Sequence, residues 1–220
     1  MDLFDSHCHL DDPSYKSDLD EVLNRARKAG VSRMMTIGVT RATSRMAVEL
    51  AEAHPGIYAS VGVHPHDAHQ CSDAILDQLV ALARRPAVRA WGETGLDFNR
   101  MHSPREEQEK WFVSQLETAR ELDLPMIFHE RHSQGRFLEL LQTCAPPTGG
   151  AVVHCFSGSR PELIRYLDMG YYIGITGIVT LKERGEALRR LVPLIPPDQL
   201  LVETDAPYLT PHPERRRFRR

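Results

Sequence analysis

Short apolar segments alternate with amphipathic helical stretches along almost the whole chain, and this alternation limits the possible folds more than any other feature. Segments typical of β-strands begin near residues 3, 31, 57, 87, 125, 151, 171 and 200, and helical stretches lie between them. Such alternation predicts parallel β/α units, and eight units close a TIM barrel. We therefore predict an α/β protein with a TIM (β/α)8 barrel.

The end of the chain departs from this repeat. The residues after Asp205 contain three prolines and five arginines but no apolar stripe at helical spacing. We predict one barrel domain at residues 1–213 that lacks its last outer helix, followed by an arginine-rich tail at residues 214–220. Without that helix, the outer side chains of the first and last strands lose their cover, and the chain can self-associate through them. These side chains are Phe4, Cys8, Leu200 and Val202.

Composition narrows the function classes. Taking the five arginines of the tail from the 27 basic residues leaves 22 against 30 acidic residues, so the barrel itself is acidic. It has no broad basic surface for long nucleic acid, and a polyanionic substrate needs metal ions and a few placed cations. The four cysteines lack C-x-x-C spacing, and neither a signal peptide nor a long apolar run is visible. This predicts a reduced, cytoplasmic protein with no membrane partner.

A His-x-His sequence stands where the first predicted strand ends. Side chains alternate across a strand, so Asp5, His7 and His9 are expected on one face. Active sites of TIM barrels lie at the carboxyl ends of the strands, and four further candidate ligands fall at or near such ends. They are Glu93, His129, His154 and Asp205.

Together with His7 and His9 they make six groups, which exceed the needs of one tetrahedral ion and suit two divalent ions. Glu93 can bridge both ions with its two carboxylate oxygens. Taken singly, His129 and His154 could be core histidines, and Asp205 could be a turn residue. Their joint placement at strand ends favours a metal site.

Several motifs carry a resemblance to one family. They are Asp5-Ser6-His7-Cys8-His9-Leu10, Gly62-Val63-His64-Pro65, Gly92-Glu93-Thr94-Gly95-Leu96-Asp97, His129-x-Arg131, His154-Cys155-Phe156-Ser157-Gly158 and Glu203-Thr204-Asp205-Ala206-Pro207-Tyr208-Leu209. This series resembles TatD-type metal-dependent hydrolases and deoxyribonucleases of the amidohydrolase superfamily. The resemblance implies a TIM barrel with a two-metal centre that hydrolyses phosphodiester bonds in DNA, in some members as a 3′ to 5′ exonuclease. It also implies metal ligands at His7, His9, Glu93, His129, His154 and Asp205, with His64 near the substrate phosphate.

Two departures from the family pattern stand out. The family usually places an acid and an alanine after His-x-Arg, whereas His132 and Ser133 follow Arg131 here. The change removes one acceptor for the Arg131 guanidinium. Family members also continue past the Pro-x-Pro sequence with an Arg-Asn segment and a last helix, where this chain has Glu214 and arginines.

The predicted chemistry assigns a role to each group. Water activated between two ions attacks the phosphate, Asp205 accepts its proton, and Glu93 acts beside it as the bridging carboxylate. Glu203, on the same strand face two residues before Asp205, is expected to orient a metal-binding histidine. His64 and Arg131 are expected to hold the phosphate. The substrate class is single-stranded DNA ends.

Two other functions stay open from the sequence. The same barrel can carry a small-molecule amidohydrolase that opens cyclic amides or deaminates bases, or it can be a catalytically impaired metal-binding barrel. The native metal is also open, because mixed histidine and carboxylate sites accept Zn, Mg, Mn or Co.

Overall fold

The computed structural model describes residues 2–144 and 147–214. It contains eight parallel strands in the order β1 to β8, so the predicted α/β barrel is confirmed. The strands are β1 (Leu3–Cys8), β2 (Val31–Thr36), β3 (Ile57–Val61), β4 (Val88–Asp97), β5 (Met126–Arg131), β6 (Ala151–Val153), β7 (Tyr172–Ile175) and β8 (Leu200–Val202).

Helices connect consecutive strands and cover the outside of the sheet. They are α1 (Leu19–Lys28), α2 (Arg41–Ala53), α3 (Asp73–Ala83), α4 (Arg105–Glu121), α5 (Arg136–Thr143), α6 (Arg160–Asp168) and α7 (Glu186–Leu191). Through residue 214, the described chain contains no α-helix after β8; residues 215–220 of the predicted tail lie outside the described residues. None of the described helices combines the length and apolarity that a membrane crossing requires.

The core around β5 is aromatic. Phe112 of α4 and Phe137 of α5 stack with ring centroids 4.9 Å apart, and Phe128 packs edge-on against Phe137 at 5.3 Å. All three side chains are almost fully buried, and burying a side chain of this size stabilises the fold by roughly 1.5 to 3 kcal/mol. This packing fixes the strand that ends in His129 and Arg131.

The barrel closes between β1 and the segment that follows β8, a junction that we call the β1–β8 seam. The backbone N–H of His9 donates to the Ala206 carbonyl at 2.8 Å, and that of Asp205 donates to the His7 carbonyl at 2.8 Å. A single parallel bridge joins Cys8 to Ala206. The seam therefore runs directly beside the residues of the predicted metal site.

The outer surface near the seam agrees in part with the sequence prediction. Val202 is 68% exposed and Phe4 is 39% exposed, as expected, while Leu200 is half-buried. The prediction is wrong for Cys8, which is 1% exposed. Its thiol donates to the Met35 carbonyl of β2 at 3.3 Å, because the end of β1 packs between β2 and the segment after β8.

Candidate metal centre

The predicted ligands meet at the carboxyl end of the barrel. His7 and Glu93 lie within β1 and β4, and His129 lies within β5. His9 and His154 directly follow β1 and β6, and Asp205 lies three residues after the end of β8. A cavity of about 550 Å³ opens over them. Its lining includes His9, Glu93, His129, His154 and Asp205, with His7 fully buried below.

His7 is the most enclosed member of the cluster. Its Nε2 lies 3.4 Å from Glu93 Oε2 and 3.7 Å from Asp205 Oδ1, and neither ring nitrogen makes a hydrogen bond within the described chain. Burial lowers the pKa of His7, with a further contribution from His154. The ring of His7 is therefore neutral at pH 7, the form that binds metals.

Glu93 stands between two groups of histidines. Its Oε2 faces His7, whereas its Oε1 lies 2.8 Å from His129 Nδ1 and 3.5 Å from His64 Nε2. Burial alone would raise the pKa of this carboxyl, but the surrounding histidines outweigh burial and hold the pKa well below its ordinary value. An ionised carboxylate with one oxygen toward each group has the placement that a bridging ligand needs.

His154 is held from behind by Glu203. Its Nδ1 lies 2.8 Å from Glu203 Oε1, which also accepts the Cys155 N–H at 2.6 Å. Burial would lower the pKa of His154, but Glu203 raises it to about 10. Gly174 makes this arrangement possible, since a Cβ there would lie 2.5 Å from both Glu203 oxygens.

The donor set fits divalent metal ions. Buried polar atoms are nearly always hydrogen-bonded, yet both nitrogens of His7 and Nε2 of His129 make no hydrogen bond with any described residue. Among the described residues, three overlapping sets of three side chains each offer ligand atoms that lie within 4.8 Å of one another inside the set. These sets are His7, His154 and Asp205; His7, His9 and Glu93; and His64, Glu93 and His129. Imidazole and carboxylate groups are the ligands of Zn, Mn and related ions.

The sequence of the chain matches the model of a known protein family. The family model described as TatD related DNase matches residues 4–220. The chain belongs to this family. Its resemblance to TatD-type metal-dependent hydrolases, predicted from the motifs, is therefore confirmed.

Individual members of the family are similar to this chain over most of their length. The 3'-5' ssDNA/RNA exonuclease TatD of Citrobacter koseri is 46% identical over 209 residues, which are 95% of this chain and 80% of that protein. The protein of the same name from Pantoea vagans is 47% identical over 216 residues, or 98% of this chain and 83% of that protein. The crystal structure of YJJV, the TatD homolog of Escherichia coli, matches with a TM-score of 0.88 and 36% identity, over 96% of this chain and 82% of that one.

His64 lies at the cluster but presents a donor to it. Its Nδ1 accepts the backbone N–H of His66 at 3.1 Å, and burial lowers the pKa of His64 to about 4. In the resulting neutral ring the proton is on Nε2, which faces Glu93. His64 therefore suits a carboxylate or phosphate oxygen better than a metal ion.

Three arginines line the cavity without an ion pair to any described residue. Arg131 was predicted from its motif. The carboxylate next to it in sequence, Glu130, does not pair with Arg131 but accepts hydrogen bonds from Ser133 N and Oγ at 2.9 and 2.7 Å. Sequence reasoning missed Arg100 and Arg184, which are exposed in the loops after β4 and β7. Their positions in irregular loops carry no periodic signal.

Asp97 was also missed as a site residue. Its Oδ2 lies 2.8 Å from His66 Nε2 and 3.4 Å from His129 Nε2. Burial would raise the pKa of Asp97, but the neighbouring rings of His129 and His66 hold it well below its ordinary value. A signal was available, because Asp97 is four residues after Glu93 on β4 and alternation places both on one face.

The alternation of β1 predicts Asp5 on the same face as His7 and His9, but Asp5 lies outside the cluster. Its carboxylate accepts hydrogen bonds from Thr204 N at 3.0 Å and Thr204 Oγ1 at 2.6 Å. The pairing of β1 with β2 shifts register between Asp5 and Cys8, which breaks the regular alternation. Asp5 thus closes the β1–β8 seam beside the site.

Proposed function

We propose that this chain is a metal-dependent nuclease that hydrolyses phosphodiester bonds at the 3′ ends of single-stranded DNA. The observation that carries the proposal is Glu93, whose two oxygens face separate histidine groups under a cavity rimmed by unpaired arginines. Membership of the TatD related DNase family supports it, as do the relatives named 3'-5' ssDNA/RNA exonuclease TatD.

Two divalent ions complete this site in the proposal. The residues that would hold them are His7, His9, Glu93, His129, His154 and Asp205, with Glu93 shared between both ions. Bound divalent ions lower the pKa of water and neutralise charge on phosphate oxygens. The ligand types admit Zn, Mg, Mn or Co.

Asp205 is the proposed general base. Its Oδ1 lies 3.2 Å from His9 Nε2, and its side chain reaches the cavity. Burial would raise the pKa of Asp205, but His9, His154 and His7 outweigh burial and lower it. The carboxylate is therefore ionised at neutral pH and can accept the proton of an attacking water.

The phosphate is held by donors from several sides. Nε2–H of His64 and the guanidinium of Arg131 donate to the scissile group, and charged donors make such hydrogen bonds about twice as strong as neutral ones. Arg100 and Arg184 are placed to hold neighbouring phosphates. These local cations explain how an acidic barrel can bind a polyanion.

The test uses 5′-labelled single-stranded DNA with a free or a blocked 3′ end, circular single-stranded DNA, single-stranded RNA and a panel of cyclic amides and nucleobases. We expect stepwise shortening of the free 3′ end after addition of Zn, Mg, Mn or Co, and loss of activity with a chelator. Cutting of circular DNA would indicate an endonuclease. Turnover of amides or bases without DNA cleavage would indicate an amidohydrolase.

Metal content is measured on the same preparations. Elemental analysis is expected to approach two ions per chain as activity reaches its maximum. A ratio of one with full activity would contradict the shared position of Glu93, and bound metal without turnover of any substrate would indicate an impaired barrel.

A further inference from the structure

Tyr208 places an exposed aromatic ring at the mouth of the cavity. The residue is 54% exposed, and within the described chain it is the only Phe, Tyr or Trp that lines this cavity. Large aromatic side chains usually bury most of their surface. A ring left open beside a proposed nucleic-acid site therefore needs an explanation.

The ring is held in place at both ends. Its hydroxyl donates to Asp12 Oδ2 at 3.0 Å, and the other oxygen of Asp12 accepts the Ser14 N–H at 2.8 Å. Burial raises the pKa of Tyr208 to about 12, so the hydroxyl keeps the proton it donates. The ring also meets His9 nearly edge-on, with centroids 5.6 Å apart. The ring is thus held at the rim of the cavity before any ligand binds.

Tyr208 lies across the barrel from two of the unpaired arginines. It follows β8, next to β1, whereas Arg100 follows β4 and Arg131 ends β5, with the proposed metal ligands between the two sides. The body of a nucleic-acid strand carries phosphates that require cations. The nucleoside at a 3′ end has no further phosphate, and a base offers a flat apolar face instead.

We infer that Tyr208 is the stacking platform for the base of the 3′-terminal nucleotide, an inference that rests on the proposed function. Stacking on an aromatic ring tolerates every base, because each base has a π face. The platform orients the terminal nucleotide so that its phosphodiester lies over the metal ligands. Tyr208 binds substrate in this scheme and takes no part in proton transfer.

The test compares two 5′-fluorescein oligodeoxynucleotides that differ only at the 3′ end, one intact and one with an abasic terminal residue. Binding is measured by fluorescence anisotropy with Mg²⁺ in the Asp205→Asn background, where little cleavage is expected. Added Tyr208→Leu removes the ring, and Tyr208→Phe keeps it. Tyr172→Leu is the matched control, since Tyr172 is 42% exposed at the start of β7, at the opposite end of the barrel.

We expect Tyr208→Leu to weaken binding of the intact strand by roughly 5- to 100-fold, the range of aromatic stacking partners, and to leave the abasic strand unchanged. Tyr208→Phe and Tyr172→Leu should both stay within about threefold of the background protein. An equal loss on both strands, no loss on the intact strand, or no binding by the background protein would overturn the inference.

Cleavage assays separate this inference from the proposed function. A parent protein that leaves DNA intact, while the Tyr208 variants show the expected contrast in binding, would refute nuclease activity and keep the platform. A parent that cleaves 3′ ends, with a Tyr208→Leu variant that keeps the parent's KM on the intact strand, would refute the platform alone.

Discussion

At the β1–β8 seam, Asp5 binds Thr204 through two hydrogen bonds and Ser6 Oγ donates to Glu203 at 3.2 Å, whereas on the outer surface of the same strands Phe4 and Val202 face solvent. Both regions lie on the first and last strands. The inner contacts are polar and directional, and they fix the carboxylates of the site. The outer side chains are apolar and have no such partners among the described residues.

The contrast shows which contacts between the first and last strands determine the positions of the site residues. Glu203 and Asp205 stand on a segment that is joined to β1 by backbone bonds, so a shift there would move a proposed ligand and its orienting partner together. A substitution of a side chain that faces water should leave the positions of Glu203 and Asp205 nearly unchanged. We therefore expect substitutions in the metal-ligand cluster to have the largest effect, those at the β1–β8 seam a smaller one, and those on the outer surface the smallest.

The largest effect is expected from Asp205→Asn, which keeps the shape of the side chain but removes its basicity. Turnover of 3′ ends should fall by roughly 10² to 10⁴, the usual contribution of a general base. Initial rates at saturating DNA measure this loss. Asp198→Asn, at an exposed aspartate before β8, is the control, and an Asp205→Asn protein with the parent rate would exclude the assigned base.

The next effect is expected at Glu203. Glu203→Gln still offers an oxygen to the Cys155 N–H but loses the charge that lies 2.8 Å from His154 Nδ1. Groups that orient a metal-binding histidine contribute about 10- to 100-fold to metal affinity, so Zn²⁺ or Mn²⁺ affinity should fall by that factor. Titration calorimetry measures it against Glu183→Gln, an exposed control. Unchanged affinity would make Glu203 a purely structural residue.

The barrel could be predicted from the sequence because its signals are periodic and local. Alternating apolar segments identified all eight strands, and the strand ends identified the cluster. The order Ser103-Pro104-Arg105-Glu106 predicts a helix capped by Ser103, with Pro104 at its first position, but α4 begins at Arg105 and its cap residue is Pro104. The Ser103 hydroxyl donates instead to the His66 carbonyl at 2.7 Å, a contact between segments far apart in sequence.

The missed and misplaced parts of the site depend on three-dimensional contacts of the same kind. Alternation predicts Asp5 on the face of His7 and His9, but the pairing of β1 with β2 shifts register between Asp5 and Cys8, and the Asp5 carboxylate binds Thr204 instead. Arg100, Arg184 and Tyr208 come from loops, where spacing predicts no direction. The seam itself joins residues about 200 positions apart, and no local pattern of either segment specifies such a pairing.

A third prediction compares two aspartates near the start of the chain. Asp5→Ala removes the acceptor of both Thr204 hydrogen bonds, and we expect the free energy of unfolding to fall by about 1 to 3 kcal/mol. Asp2 pairs with Ser32 and Arg33 on the exposed surface, where such contacts contribute at most about 1 kcal/mol. Urea denaturation of Asp5→Ala and Asp2→Ala tests the difference. Equal losses would show that the seam is no more demanding than the surface.

The smallest effect is expected at Val202, which can be compared with Val153 because each ends a three-residue strand. Val202 is 68% exposed and Val153 is 1% exposed. Threonine keeps the branched shape and adds a hydroxyl, so Val202→Thr should stay within about 0.5 kcal/mol of the parent, whereas Val153→Thr should lose about 1 to 3 kcal/mol by burying a polar group. Sedimentation velocity of parent and Val202→Thr also tests the predicted self-association, which should be weaker in the variant. Two results would contradict this prediction: a parent protein that stays monomeric at every concentration, or a loss of unfolding free energy in Val202→Thr as large as that in Val153→Thr. Either would mean that some other part of the protein covers these outer side chains in solution.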